Sequence, residues 1–93
     1  MPHYVYILRS SKDLKHYIGE TTDVEARLKF HNEGLQRSTR SRRPFKIILV
    51  ETFSDRTIAL KREKEIKSWK GGIKFKKLLE RSSPAPLGTT FGT

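Results

Sequence analysis

The chain contains no cysteine among its 93 residues. This absence excludes disulfide-stapled folds, zinc sites built on thiolates, and enzymes that use a thiol nucleophile. The sequence also lacks any apolar run near the roughly 20 residues that a membrane-spanning helix needs. Its first residues, MPHY, do not resemble a signal peptide. We therefore expect a soluble, cytoplasmic protein that does not associate with membranes.

Acidic residues are scarce relative to basic ones. Ten Asp and Glu stand against 20 Lys and Arg, which gives a net charge of +10 and a sequence pI near 10.2. A pI this high is typical of domains that bind nucleic acid, because contacts with phosphates release counterions and drive association. A solvated basic surface, or one that binds acidic membrane, is the alternative at this level. Nucleic acid is the partner that this charge leads us to expect.

The distribution of charge divides the chain into two parts. Every charged residue lies before Ser82, and residues 82–93 read SSPAPLGTTFGT. A segment without charges that carries two prolines and two glycines is typical of disorder. The sequence therefore predicts one domain over residues 1–81, with no room for a second, and a disordered tail over residues 82–93.

Hydrophobic patterns predict six elements in the order β-β-α-β-α-α. Strands are expected at residues 4–8, 17–22 and 45–53, where β-branched and aromatic residues concentrate. Helices are expected at 24–32 after Asp23, at 56–70 after Asp55, and at 73–81 after two glycines. This order predicts an α+β fold, a small three-stranded antiparallel sheet flanked by helices. Residues 47–50 are apolar on both faces, so we expect that strand to be covered on both sides.

Three charged or titratable residues fall on helix faces that are otherwise apolar. Arg27 and His31 lie one turn apart on the apolar side of the first helix, and Glu63 lies on that of the second. A charge there is costly unless it is paired or faces a cleft. The alternatives are a packed arginine stem beside a buried histidine, or an ion pair from Arg62 or Arg27 to Glu63. Otherwise Glu63 is a candidate ligand for a divalent metal.

Two tyrosines, Tyr6 and Tyr17, lie on neighbouring predicted strands and are either core residues or catalytic phenols. Gly19 weakens its strand, which predicts that a backbone or ligand comes close there. Two clusters of basic residues are candidates for contacts with phosphate. The candidates are Arg37, Arg40, Arg42, Arg43, Lys46, Lys70 and Lys74.

Together these residues resemble the GIY-YIG nuclease superfamily. Tyr4-Val5-Tyr6 precedes Tyr17-Ile18-Gly19 by ten residues, as in the paired motif of that family, although Tyr4 stands in place of the first glycine. The spacing from Asp23 to Arg27 and His31 is similar to the family's first helix. The segment around Glu63 is similar to the helix that presents the family's metal-binding glutamate.

The resemblance implies a divalent-metal-dependent endonuclease that hydrolyses DNA phosphodiester bonds. In that chemistry Glu63 would hold Mg²⁺ or Mn²⁺, and Arg27 would stabilise charge on the phosphoryl oxygens. Tyr6 or Tyr17 would activate water, while His31 would take up or relay the proton. The other hypotheses are a non-catalytic nucleic-acid-binding module and a subunit recruited by a protein partner that supplies specificity.

Overall fold

The order of elements in the computed structural model, which describes residues 1–82, is the predicted β-β-α-β-α-α. The α+β fold is therefore confirmed. The strands are β1 (His3–Ser10), β2 (His16–Thr21) and β3 (Phe45–Phe53). The helices are α1 (Val24–Asn32), α2 (Arg56–Ser68) and α3 (Ile73–Ser82), and a single 3₁₀ turn occupies Arg40–Arg42.

The predicted tail falls almost entirely outside the described residues. Ser82, its first residue, is the last residue of α3, one position beyond the predicted end of that helix. Residues 83–93 lie outside the described range, so the predicted disorder of this segment stays a prediction. Within residues 1–82, no helix combines the length and apolar character required to cross a bilayer.

The central strand β1 organises the core. The sheet order is β2-β1-β3, with both pairings antiparallel. Because side chains alternate along a strand, Val5 and Ile7 point to one face, and Tyr6 and Leu8 to the other. All four are at most 1% exposed. The first face packs against buried residues of α2 and α3, namely Ala59, Ile66, Phe75 and Leu78. The second face packs against partly buried residues of α1, namely Val24 and Leu28.

Strand β3 does not meet the expectation that residues 47–50 are covered on both sides. Leu49 is 5% exposed, but Val50 is 43% exposed and lines an open groove of about 560 Å³. The cause is that only α1, a helix of nine residues, covers this face of the sheet. A β-bulge also shifts the register, since Ile7 pairs with Leu49 and Leu8 with Ile47. Ile48 is left unpaired and packs against the first core face.

Both predicted N-caps form. A side-chain oxygen of Asp23 accepts a hydrogen bond from the Ala26 amide at 3.0 Å, and Asp55 accepts one from the Thr57 amide at 2.7 Å. Each such cap stabilises a helix by about 1 kcal/mol. Gly34, with φ of +77°, follows the end of α1. These caps fix the chain positions at which α1 and α2 leave the sheet.

Candidate active site

Tyr6 lies at the centre of the candidate site, and Gly19 makes room for it. The two residues are paired across β1 and β2, and the Tyr6 side chain is 1% exposed. A Cβ atom on Gly19 would lie 2.5 Å from the Tyr6 hydroxyl oxygen. A group does approach Gly19 closely, but it is the ring of Tyr6 and not the backbone or ligand expected from the sequence.

Gly19→Ala is expected to destabilise the fold and displace the Tyr6 ring. Overpacking of this kind costs roughly 1–3 kcal/mol, and thermal or denaturant unfolding measures it. Gly72→Ala is the matched control, because a Cβ there meets only the Trp69 carbonyl at 3.4 Å. If the two variants are equally stable, the ring of Tyr6 yields without cost and the packing argument is wrong.

His31 is fully buried beside the two tyrosines. Its Nε2 atom lies 3.4 Å from the Tyr6 hydroxyl, and its ring centroid lies 4.7 Å from that of Tyr17. Its Nδ1 atom lies 2.9 Å from the Thr39 hydroxyl. Burial, and secondarily the positive charge of Arg27, lower the pKa of His31. Since the usual value is about 6.5, the ring is neutral at pH 7.

Arg27 and Tyr17 are joined by the side chain of Gln36. One guanidinium nitrogen of Arg27 donates to the Gln36 side-chain oxygen at 3.3 Å, and the Gln36 amide donates to the Tyr17 hydroxyl at 3.2 Å. The guanidinium also stacks over the Phe30 ring at 4.3 Å. No carboxylate of the described residues forms an ion pair with Arg27. Its charge is thus held in place and available to an anion.

The Tyr6 phenol is protonated at neutral pH. Burial is the main cause that raises its pKa, and the Arg27 guanidinium at its hydroxyl partly offsets that effect. The charges of Tyr17 and Glu63 raise the pKa further. To act as a base, Tyr6 must therefore give up its proton as it receives one, and the neutral His31 beside it is a suitable acceptor.

The ion-pair partner of Glu63 is neither Arg62 nor Arg27, the two candidates drawn from the sequence. Its carboxylate forms an ion pair with Lys67, one turn along α2, at 2.8 Å. Arg62 instead pairs with Glu51 on β3 and with Glu65, at 2.8 and 2.9 Å, and these contacts raise the pKa of Arg62. The alternative of an ion pair from Arg62 or Arg27 to Glu63 is therefore wrong.

A divalent metal fits Glu63 only if substrate and water complete its coordination. No group of three or more His, Cys, Asp or Glu within residues 1–82 forms a metal-binding cluster. The Glu63 side chain is 16% exposed, so its carboxylate is reachable from solvent. Magnesium commonly takes one or two protein carboxylates and fills its other positions with water and phosphate oxygens. A lone, solvent-reachable carboxylate such as Glu63 meets that requirement.

The predicted phosphate-binding residues differ in how they are held. Six are exposed: Arg37, Arg40, Arg43, Lys46, Lys70 and Lys74. Arg42 is half-buried, pairs with Asp13 at 3.0 Å and donates to the His16 carbonyl at 3.3 Å. It therefore ties the loop between α1 and β3 to the β1–β2 hairpin. A role in nucleic-acid binding for Arg42 stays a prediction.

Three residues of this region are absent from the sequence-based set. Gln36 and Thr39 lie in the loop after α1, where no periodicity marks a side chain as inward-facing. Arg9 is exposed and lies directly opposite Lys46 across β1 and β3. Like charges in that position are destabilising, and a bound phosphate would relieve their repulsion.

The sole asparagine, Asn32, bonds through its side chain to both backbone polar groups of Phe45.

A three-stranded sheet with two tyrosines, an arginine and a histidine on one side, together with a glutamate on α2, is consistent with a domain of the GIY-YIG class. The family model described as the GIY-YIG catalytic domain matches residues 2–77, and the chain belongs to this family. The resemblance drawn from the sequence is thereby confirmed.

Relatives of similar length share most of the chain. A UPF0213 protein of Staphylococcus haemolyticus is 44% identical over 80 residues, which cover 85% of this chain and 96% of that protein. A UPF0213 protein of Haloquadratum walsbyi is 48% identical over 68 residues, which cover 72% and 75%. The solution NMR structure of a UPF0213 protein from Bacillus halodurans matches with a TM-score of 0.56 and 35% identity, over 94% of this chain and 90% of that one.

Proposed function

We propose that this protein is a divalent-metal-dependent endonuclease that hydrolyses phosphodiester bonds in DNA. The observation that carries the proposal is the convergence of Tyr6, Tyr17, Arg27 and His31 on one side of the sheet. Membership of a nuclease family supports the reaction class. The choice of DNA over RNA rests on the sequence-based expectation.

Arg27 is the residue that stabilises the developing charge. It has no carboxylate partner among residues 1–82, and Gln36 and Phe30 hold its guanidinium in a fixed orientation. A cation that is preorganised in this way lowers the energy of a transition state in which negative charge accumulates on phosphoryl oxygens. In the free protein no carboxylate of residues 1–82 neutralises its charge, so the charge is available to a phosphate of the substrate.

The tyrosines and His31 provide the path of the proton. Tyr6 receives a proton from the attacking water as its own proton passes to His31 Nε2, 3.4 Å away. Tyr17 is half-buried, contacts the His31 ring and accepts a hydrogen bond from Gln36. It can therefore orient the water or take its proton in place of Tyr6. This exchange lets a phenol with a raised pKa act as a base without carrying a full negative charge.

Glu63 is the residue that would hold Mg²⁺ or Mn²⁺. The metal, when bound, supplies Lewis-acid polarisation of the scissile phosphate. Lys67, whose side chain is half exposed, neutralises Glu63 in the free protein. If Glu63 held the metal instead, the Lys67 ammonium would be free to contact a phosphate of the substrate strand.

Cleavage assays on the full chain test this proposal. Labelled single-stranded, duplex and branched DNA, and matched RNA, are incubated with Mg²⁺, with Mn²⁺ and with EDTA. We expect DNA to be cut in the presence of either metal and to stay intact in EDTA. DNA that is retarded on a gel but uncut in every condition would instead identify a non-catalytic binding module. No binding at all would favour a subunit recruited by a protein partner, and preferential cutting of RNA would refute the choice of DNA.

The basic surface is expected to bind phosphates without reading sequence. The double variant Arg9→Ala with Lys46→Ala removes two exposed and mutually repelling charges. It should leave stability unchanged or slightly raised. On duplex DNA, each lost contact reduces the log–log salt slope of binding by about 0.9, so the measured slope should fall by about 1.8 for the pair.

Arg42→Ala is the contrasting variant for that measurement. It breaks an ion pair with Asp13 and a bond to the His16 carbonyl, so it should lower the melting temperature more than the salt slope. A salt slope that is unchanged in the double variant and reduced in Arg42→Ala would assign the phosphate contact to Arg42 and reverse this assignment.

A further inference from the structure

Thr39 is one of the few polar side chains buried in the described part of the chain. It is 1% exposed, although it lies in the loop between α1 and β3. Its hydroxyl oxygen is 2.9 Å from His31 Nδ1, and its hydroxyl donates to the Gln36 carbonyl at 3.4 Å. A buried threonine in contact with the site histidine constrains where the protons of that histidine lie.

The hydrogen bonds at Thr39 favour one tautomer of His31. A hydroxyl has a single proton to donate, and a backbone carbonyl can only accept. If the Thr39 proton goes to the Gln36 carbonyl, then the hydroxyl oxygen must accept from His31. In that case His31 Nδ1 carries the ring proton, and Nε2 carries the lone pair.

The contacts at Tyr6, on the opposite side of the ring, favour the same tautomer. The Arg27 guanidinium, which lowers the pKa of Tyr6, can donate to the Tyr6 oxygen but cannot accept its proton. The Tyr6 proton therefore needs an acceptor, and His31 Nε2 lies 3.4 Å away. Had Nε2 carried the proton, the proton of the Tyr6 hydroxyl would lack this acceptor.

We propose that Thr39 is a positioning residue that fixes His31 in the Nδ1–H tautomer, so that the Nε2 lone pair faces the Tyr6 hydroxyl. The catalytic consequence rests on the proposed nuclease function: the proton that leaves the Tyr6 oxygen can bond to Nε2 only if that nitrogen is unprotonated. Thr39 itself does not touch the substrate.

The surroundings of His31 are consistent with this arrangement. The groups that face its ring are Tyr6 from β1, Tyr17 from β2, Phe45 from β3, and Phe30 from α1. Arg27 is the charged group that acts on it. No ion pair of the described residues connects a carboxylate to His31. Thr39 therefore occupies, as a neutral acceptor, the place that an aspartate takes beside the histidine of a serine protease.

Long-range ¹H–¹⁵N correlation spectra of the wild-type protein test the tautomer directly. Histidine is labelled with ¹⁵N, and the spectra are recorded well above the usual histidine pKa of about 6.5. The His31 signals are those missing from the spectrum of His31→Gln. We expect a protonated Nδ1 and an unprotonated Nε2, and a predominance of the Nε2–H form would overturn the proposal. This measurement needs no nuclease activity.

Two variants of Thr39 test its role. Thr39→Val keeps the shape and removes the hydroxyl, whereas Thr39→Ser keeps the hydroxyl. In Thr39→Val we expect His31 to lose the single Nδ1–H form, and the single-turnover rate to fall at least about tenfold with DNA affinity unchanged. An incorrect histidine tautomer costs up to about 10⁴ in a serine protease. Thr39→Ser should retain both the tautomer and the rate.

The possible results separate this proposal from the nuclease proposal. A folded Thr39→Val protein that keeps the Nδ1–H form would show that Thr39 does not fix it. If Thr39→Val does not fold, then the tautomers of the wild type and of Thr39→Ser decide the question. A wild-type protein that shows the Nδ1–H form but cuts no DNA would refute the nuclease function and leave the structural role of Thr39 intact.

Discussion

Glu63→Gln is expected to abolish metal-dependent cleavage while the protein stays folded. The amide keeps the shape of the side chain but loses the charge that would hold a divalent cation. Loss of one electrostatic stabiliser of a transition state commonly costs about 10²–10³ in rate, and we expect at least that reduction. Stability should change little, because the partner of Glu63 is the half-exposed Lys67 and pairs of this kind contribute at most about 1 kcal/mol.

Glu65→Gln is the matched control for this variant. It makes the same chemical change on the same helix, but Glu65 is more exposed and pairs with Arg62. Single-turnover rates across a Mg²⁺ titration, measured beside thermal melts, distinguish the two variants. If Glu63→Gln unfolds, or cleaves at the wild-type rate per folded molecule, then Glu63 serves only as the partner of Lys67 and the metal assignment fails.

The fold could be predicted from the sequence because local patterns determine most of it. Asp23 and Asp55 precede apolar-periodic segments, and both cap helices in the structure. The extent of coverage over β3 could not be predicted in the same way. The exposure of Val50 depends on the length of α1 and on a bulge at Ile48, and both are properties of the assembled sheet.

The candidate site was predictable where a residue conflicted with its surroundings. Arg27, His31 and Glu63 stand on apolar helix faces, and a charged or titratable group in such a place indicates either a partner or a function. The identity of the partners could not be derived in this way. Arg62 bonds to Glu51 on a different element, and the pairing of Glu63 with Lys67 depends on rotamers.

Loop residues mark the limit of prediction from sequence. Gln36 joins Arg27 to Tyr17, and Thr39 contacts His31. Neither lies in an element with a hydrophobic period, so nothing local indicates that its side chain turns inward. Their positions follow from the path of the loop between α1 and β3, which the side chain of Asn32 anchors at the start of β3.

Tyr6→Phe is expected to reduce turnover by about 10²–10⁴, the range typical of a lost general acid or base. The ring still fills the space above Gly19, so only the hydroxyl and its bonds are lost. One such bond contributes roughly 1 kcal/mol to stability, and the melting temperature should shift only slightly. Tyr17→Phe should have a smaller effect on rate, because the Tyr17 hydroxyl bonds to Gln36 rather than to His31.

Tyr4→Phe is the matched control, since Tyr4 lies on the same face of β1 but lines the groove beside Val50. Single-turnover rates at saturating protein should therefore rank Tyr6→Phe far below Tyr17→Phe, with Tyr4→Phe near the wild type. The reverse order for Tyr6 and Tyr17 would make Tyr17 the base and reduce Tyr6 to a support for His31. If both variants cleave at the wild-type rate, the phenols serve only in packing. His31 Nε2 would then be the remaining neutral base that could take the proton of the attacking water.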